Sequence, residues 1–245
     1  MPLFLFICLF FCVNNSFSQE KILFEFGESK VLNEIIDGQD AKEPLQWVDV
    51  NTSDHTWMVK DSLLISTGKP IGVVRSAKMY QNFILQVEWR HLEEGGNSGI
   101  FVWCDALPDD QTRLPNGVEV QMLELDWVNR NIRNGEVPPI AYVHGELFGA
   151  GTVKTIPDNP RGERSKSIEN RCLGVGQWNK YTIVCVDGTI KLSVNGKYVN
   201  GVRMATKRKG FLCLEAEGAA IEFKNLSLIA LDEGFIEADH AVKPL

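Results

Sequence analysis

Phe83-Ile84-Leu85-Gln86-Val87-Glu88-Trp89-Arg90 sets the rhythm on which the chain is read. Phe83, Leu85, Val87 and Trp89 alternate with Ile84, Gln86, Glu88 and Arg90, and a two-residue period held this long is that of a strand buried on one face. The same period returns downstream in Trp178–Val186 and Thr189–Val194 around Asp187-Gly188, and again in Lys197–Val202 after Asn195-Gly196. Asp-Gly and Asn-Gly accept the positive φ angles that a two-residue hairpin turn demands. Upstream, Trp57–Lys60 and Leu63–Ser66 flank Asp61-Ser62 in a further hairpin pattern. Ile22–Phe26, Gly72–Ser76, Ser98–Cys104, Val118–Leu123, Gly210–Glu215 and Ala220–Leu231 bring the count to at least ten strands. Val31–Pro44 reads as a turn-rich connection, and no helical stripe is long enough to compete. The expected fold is all-β, a two-sheet antiparallel jelly-roll sandwich.

The chain has 245 residues, a formal net charge of −7 and no long basic run; Lys207-Arg208-Lys209 reads as a solvated turn. Nucleic acid is therefore not an expected partner, because it requires clustered Lys and Arg against phosphate. No stable protein partner is expected. Residues 1–19 carry no charged side chain and hold the apolar run Leu3–Val13 before Ser16-Phe17-Ser18, the pattern of an export signal peptide. The run falls short of the roughly 20 apolar residues of a membrane span. The organisation expected is a signal peptide over 1–19, one domain over 20–231 and a tail over 232–245, in a periplasmic or extracellular protein. Cys104, Cys172, Cys185 and Cys213 show no C-x-x-C spacing, which argues against zinc or redox motifs. Cys185 and Cys213 sit in apolar runs, where a free thiol serves as a small hydrophobe.

Chemistry concentrates in Asn116-Gly117-Val118-Glu119-Val120-Gln121-Met122-Leu123-Glu124. Strand alternation puts Glu119 and Gln121 on one face and Val118, Val120 and Met122 on the other. Glu124, five residues from Glu119, joins the same face only through a bulge. In Ser98–Cys104, Gly99, Phe101 and Trp103 share one parity, which would place a bare backbone position beside two aromatics suited to stacking on a sugar ring. After the Glu119 strand comes a long irregular region, about Asp126–Gly176, holding His144-Gly145-Glu146. A segment of this length in a compact domain is characteristically a functional loop or lid. Glu215 shares parity with Phe211 and Cys213, opposite Leu212 and Leu214, and can project towards the same site.

Asn97-Ser98-Gly99-Ile100-Phe101, the Asn116–Glu124 stretch, Gln177-Trp178-Asn179 and the closing Gly210–Asn225 segment together resemble the 3-keto-disaccharide hydrolase domain family. The resemblance spans about Ile22–Leu231, with Glu124 where the family has Asp, Glu215 where it has Gln and Trp103 where it often has Arg. It implies a concanavalin A-like jelly roll acting on glycosides oxidised to a ketone at C3. Such a substrate implies a functional link to a glycoside 3-oxidoreductase. A ketone at C3 acidifies the C2 proton, so a base can remove it and the C1 substituent can leave, with water adding afterwards. The expected cast is Glu119 and His144 as catalytic acid/base groups, with Gln121, Trp103, Phe101, Glu124, Glu215 and Glu146 binding substrate. If a divalent cation takes part, Glu119, Glu124 and His144 are its expected ligands. His55, His91 and His240 are read as structural.

Two other classes fit the same residues. Glu119-x-Gln121-x-x-Glu124 is similar to the E-x-D-x-x-E signature of family 16 retaining glycoside hydrolases, which use two carboxyls about 5–5.5 Å apart. A non-catalytic glycan-binding module would instead use Trp103, Phe101 and Trp127 as a stacking platform.

Overall fold

The computed structural model describes residues 20–142 and 144–231, so the signal-peptide and tail expectations lie outside the described residues. Among the described residues, chain alternation and turn chemistry produce seventeen strands. The first eight are β1 (Ile22–Val31), β2 (Glu43–Asp49), β3 (Trp57–Lys60), β4 (Leu63–Ser66), β5 (Gly72–Ser76), β6 (Asn82–His91), β7 (Asn97–Cys104) and β8 (Val118–Leu123). Then follow β9 (His144–Gly149), the two-residue strands β10 (Ile156–Pro157), β11 (Pro160–Arg161) and β12 (Arg164–Ser165), and β13 (Asn179–Val186). β14 (Thr189–Val194), β15 (Lys197–Arg203), β16 (Phe211–Ala216) and β17 (Ile221–Leu231) close the domain. The hairpin turns form as expected, with positive φ at Asp61 and Ser62, Asp187 and Gly188, and Asn195 and Gly196.

Among the described residues helix is confined to α1 (Leu32–Ile36), α2 (Trp127–Arg130) and a 3₁₀ turn at Ile140–Tyr142. The connection expected over Val31–Pro44 is shorter than anticipated, since β2 already begins at Glu43. Leu45 and Trp47 of that strand are buried, and the Trp47 indole donates to the carbonyl of Phe26 at 3.0 Å.

Pairing joins the strands into two arms. One runs β1-β2-β5-β16-β7-β8-β9-β12-β11; the other runs β17-β6-β13-β14-β15-β10, with β3 and β4 attached to β17. A parallel pairing of β1 with β17 connects the arms, so hydrogen bonding makes one continuous, nearly closed sheet rather than two separate ones. At the far edge the Asn200 amide of β15 donates to the carbonyls of Gly145 and Ser165, drawing the arms together.

The core fills the space between the arms in a sandwich-like all-β fold. Val74, Leu214, Ile100, Val120 and Leu147 enter it from one arm, and Phe223, Leu85, Ile183 and Leu192 from the other. Full burial of each such side chain contributes about 1.5–3 kcal/mol. The Phe83, Leu85, Val87 and Trp89 face of β6 is fully inside. Tyr181 packs edge-on against Trp89 and donates its hydroxyl to the Gln121 carbonyl at 2.9 Å, fixing the backbone of β8 from beneath.

Two bulges interrupt the alternation where it matters most. Between the Phe101↔Cys213 and Cys104↔Phe211 pairs β7 carries one extra residue, and Trp103 there has a φ of 56°. Between Val120↔Leu147 and Met122↔His144 the extra residue is on β9, beside Gly145 with a φ of 73°. Each bulge reverses the face of the side chains beyond it.

Candidate active site

β7, β8 and β9, with Glu217 just past the end of β16, face a cavity of about 680 Å³, a size ordinary for a small-molecule site. Glu119 and Gln121 form its floor, as the alternation of β8 requires, while Val118, Val120 and Met122 point into the core. Gln121 donates from its amide to Asn97 Oδ1 at 2.9 Å and to the Ser98 carbonyl at 3.2 Å, which fixes the amide plane.

Glu119 is 5 % exposed and its carboxyl is pushed up to about 8. Burial is the main cause; the nearby Glu217 carboxyl adds to it, Arg164 opposes it and Glu146 adds a little. A carboxyl poised there holds its proton near neutrality and loses it within reach of physiological pH. Glu215 is fully buried beneath the floor, and burial followed by the charge of Glu119 drives its acidity well below the carboxylate norm. Burial also raises Glu217 on the cavity wall. Gly99 makes this convergence possible: a Cβ there would lie 3.1 Å from Glu119 Oε1 and 3.1 Å from Glu215 Oε2. Those two oxygens are therefore no further apart than twice that distance.

The opposite wall is cationic and held by Glu146. Its Oε1 accepts from Arg161 Nε at 2.8 Å and Nη2 at 2.6 Å, and its Oε2 accepts from Arg164 Nη1 at 3.0 Å. Arg161 stacks over Tyr142 at 3.7 Å and Arg164 over Phe148 at 3.6 Å, so each guanidinium is clamped from two sides. Two arginines on one carboxylate leave a positive excess facing the cavity. Trp127, Val137, Pro138 and Pro139 supply an apolar side.

Several expected site residues are elsewhere. His144 is buried opposite Met122, on the core face, because the bulge at Gly145 turns it away from Glu119. Its Nε2 donates to the Glu169 carbonyl, and burial lowers its basicity. Glu124 accepts backbone N–H bonds from Gly95 at 2.7 Å, Asp126 at 2.8 Å and Val175 at 3.1 Å, binding three loops together outside the cavity. Trp103 is turned into the main core by the β7 bulge, its indole donating to the Gln81 carbonyl at 2.8 Å. Phe101 is sealed in a small cluster with Val73, Cys104 and Cys213. Neither aromatic can stack on a sugar. Glu119, Glu124 and His144 thus do not converge on a common point, and among the described residues no group of three His, Cys, Asp or Glu is arranged to hold a metal ion.

Glu119, Gln121, Glu146 and Glu215 are brought together as expected, with Trp127 on the rim. His91 is structural, bonded through Nε2 to the Met122 carbonyl at 2.9 Å. The four described cysteines are free and buried. Arg161, Arg164, Tyr142, Phe148 and Glu217 were not anticipated. Phe148 shares strand parity with Glu146 and was open to discovery by period; the arginines lie on two-residue strands with no periodic signature.

The family model described as 3-keto-alpha-glucoside-1,2-lyase-like domain matches residues 32–229 of the chain. No curated protein matches it. Among solved structures, a Parabacteroides distasonis protein with a provisional glycosyl hydrolase name aligns at 19% identity and a TM-score of 0.57, over 76% of this chain and 88% of its own. A second, likewise provisionally named structure from the same organism aligns at 19% identity and 0.52, over 76% and 99%. The carbohydrate-binding module CBM66 from Bacillus subtilis aligns at 12% identity and 0.52, over 75% and 95%. At these identities the three structures share the fold.

Proposed function

Because the chain belongs to the 3-keto-alpha-glucoside-1,2-lyase-like domain family, we propose that it is a carbohydrate-active enzyme that cleaves glycosides carrying a ketone at C3. The observation that carries this reading is Glu119: a buried carboxyl held near pH 8 on the floor of a cavity large enough for a sugar, facing two clamped arginines. Glu119 as carboxylate takes the C2 proton, leaving an enolate on the C3 oxygen, and the glycosidic C1–O bond then breaks with its electron pair on the departing oxygen. Arg161 and Arg164 supply fixed positive charge for the oxygen on which negative charge develops, and Gln121 orients hydroxyls. Water addition to the resulting enone completes a net hydrolysis.

A concanavalin A-like jelly roll, its two layers joined through β1 and β17, belongs to this proposal, as do export through residues 1–19, a periplasmic or extracellular site of action and supply of substrate by a glycoside 3-oxidoreductase. A family 16-like mechanism loses support because Glu124 is committed to backbone amides rather than to the cavity. Glycan binding without reaction loses Phe101 and Trp103 and keeps only rim aromatics such as Trp127.

The test is incubation with a panel of 3-keto and unoxidised glycosides, with and without chelator, following enone absorbance and sugar release. Turnover of keto substrates that Glu119→Gln abolishes supports the reading. Turnover of unoxidised β-glucans alone would transfer the protein to the retaining glycosidases, and sugar affinity that survives Glu119→Gln without any turnover would make it a binding module.

A further inference from the structure

Glu215 lies on β16 at 0 % exposure, and its carboxyl oxygens have no hydrogen-bond partner besides the neighbouring Glu217 carboxyl. A buried carboxylate in that condition is expensive, whereas a neutral acid, or one passing its proton to a neighbour, is not. Two carboxyls are close by. Glu119 Oε1 and Glu215 Oε2 both lie against the bare Cα of Gly99, and Glu217 stands two residues further along the same chain on the cavity wall. Strand register explains the meeting. Gly99 pairs with Gln121, and Ile100 with Leu214, so Gly99 separates β16 from β8 at the level where the carboxyls converge.

The other charged groups around the cluster are engaged. Arg75 of β5, opposite Cys213, is bonded to Glu20 and stacks on Phe211. Glu146 and Arg164 face Glu119 from β9 and β12 and are bonded to each other. Cys213, on the same strand as Glu215, carries a thiol buried against Cys104. Among the described residues no cation is bonded to Glu215, so protons are what the three carboxyls have to share.

The geometry points to a proton relay in which Glu119 receives the substrate proton, Glu215 passes it on and Glu217 exchanges it at the cavity. Glu217 is partly exposed, whereas Glu119 is cut off from bulk water once a sugar covers it. In the balanced cycle the three carboxyls begin with one negative charge, placed on Glu119. Glu119 takes the C2 proton, the C–H pair forms the enolate and then the C1–C2 double bond, and the C1–O pair leaves on the glycosidic oxygen. A proton from the set protonates that oxygen, and the negative charge returns to the three carboxyls. Glu215 and Glu217 are positioning residues here, acting through Glu119. The origin of the proton rests on the keto-glycoside reading; the sharing of protons does not.

The experiment titrates the side-chain carboxyls of protein labelled with ¹³C at glutamate Cδ by NMR, in the unaltered chain and in Glu119→Gln, Glu215→Gln and Glu217→Gln, alongside kcat–pH profiles. Coupled groups titrate together, so Glu217→Gln is expected to lower the Glu119 midpoint, and Glu215→Gln, which removes the carboxyl that ionises after Glu119, to replace a shared titration of Glu119 by a single step. Glu215→Gln should reduce kcat by about tenfold or more with little change in KM, and Glu215→Asp should recover part of both effects. A Glu119 titration unchanged in both Glu215→Gln and Glu217→Gln overturns the relay, as does a kcat–pH profile of Glu215→Gln that overlays the original. If keto-glycosides are not turned over at all, the NMR arm still decides proton sharing and the substrate reading fails alone. If Glu215→Gln does not fold, Glu217→Gln on the cavity wall carries the same comparison.

Discussion

Glu119 carries two pH dependences of distinct origin. Its folded-state value of about 8 stands above its ordinary 4.5, so between those limits the folded chain holds a proton that the unfolded chain has released. Stability is therefore full below about pH 4.5, falls as pH rises through the window and levels off above about 8, by an amount on the order of a few kcal/mol. Glu119→Gln should flatten that slope, leaving the part due to Glu215 and Glu217, as thermal melts at about pH 5 and pH 9 would show. Activity runs the other way. A base must be ionised, so kcat/KM should climb towards pH 8, nearly tenfold per unit on the acid side. A rate that instead fell across this range would make Glu119 the acid. His144 supplies the contrast, since its imidazole faces the core and bonds to the Glu169 carbonyl. His144→Gln should cost stability yet keep turnover within a few-fold, measured at matched folded fraction.

At the level of elements, two structures hold the site without touching the reacting atoms. The Glu124 carboxylate ties the loops at Gly95, Asp126 and Val175 to the end of β8. Glu124→Gln retains one acceptor oxygen and should lose about 1–3 kcal/mol in denaturant unfolding with kcat preserved; a collapse of kcat in folded protein would return Glu124 to the site. The β11–β12 hairpin is held against β9 through Glu146. Arg161 and Arg164 are 35% and 43% exposed at their side chains, so Glu146→Gln should cost only about 1–2 kcal/mol by equilibrium unfolding. Its larger effect should be on substrate, with KM rising as the guanidinium planes lose their anchor. Gly99→Ala tests the crowded floor between β8 and β16. Its methyl would press on Glu119 and Glu215, so kcat should fall while the melting temperature changes little.

Across the whole molecule, what was legible in the chain is what local chemistry controls. Phe83–Trp89 had to bury one face, and Asp187-Gly188 and Asn195-Gly196 had to turn, because no partner is needed for either rule to act. Glu119 and Gln121 were legible for the same reason. Bulges obey the neighbouring strand instead, and the two beside the site, at Trp103 and Gly145, took Trp103 from the face that simple alternation assigned it and turned His144 away from Glu119. Arg161, Arg164 and Glu217 arrive through long-range closure of the sheet, which no spacing near Glu119 announces. The continuous ladder through β1 and β17 has the same origin, since it joins opposite ends of the domain. The measurement that bears most directly on the account is release of sugar from a 3-keto-glucoside by the unaltered chain and by folded Glu119→Gln. Steady turnover with transient enone absorbance is expected for the first, and at least about a hundredfold loss for the second; equal turnover by both proteins would rule Glu119 out as the base.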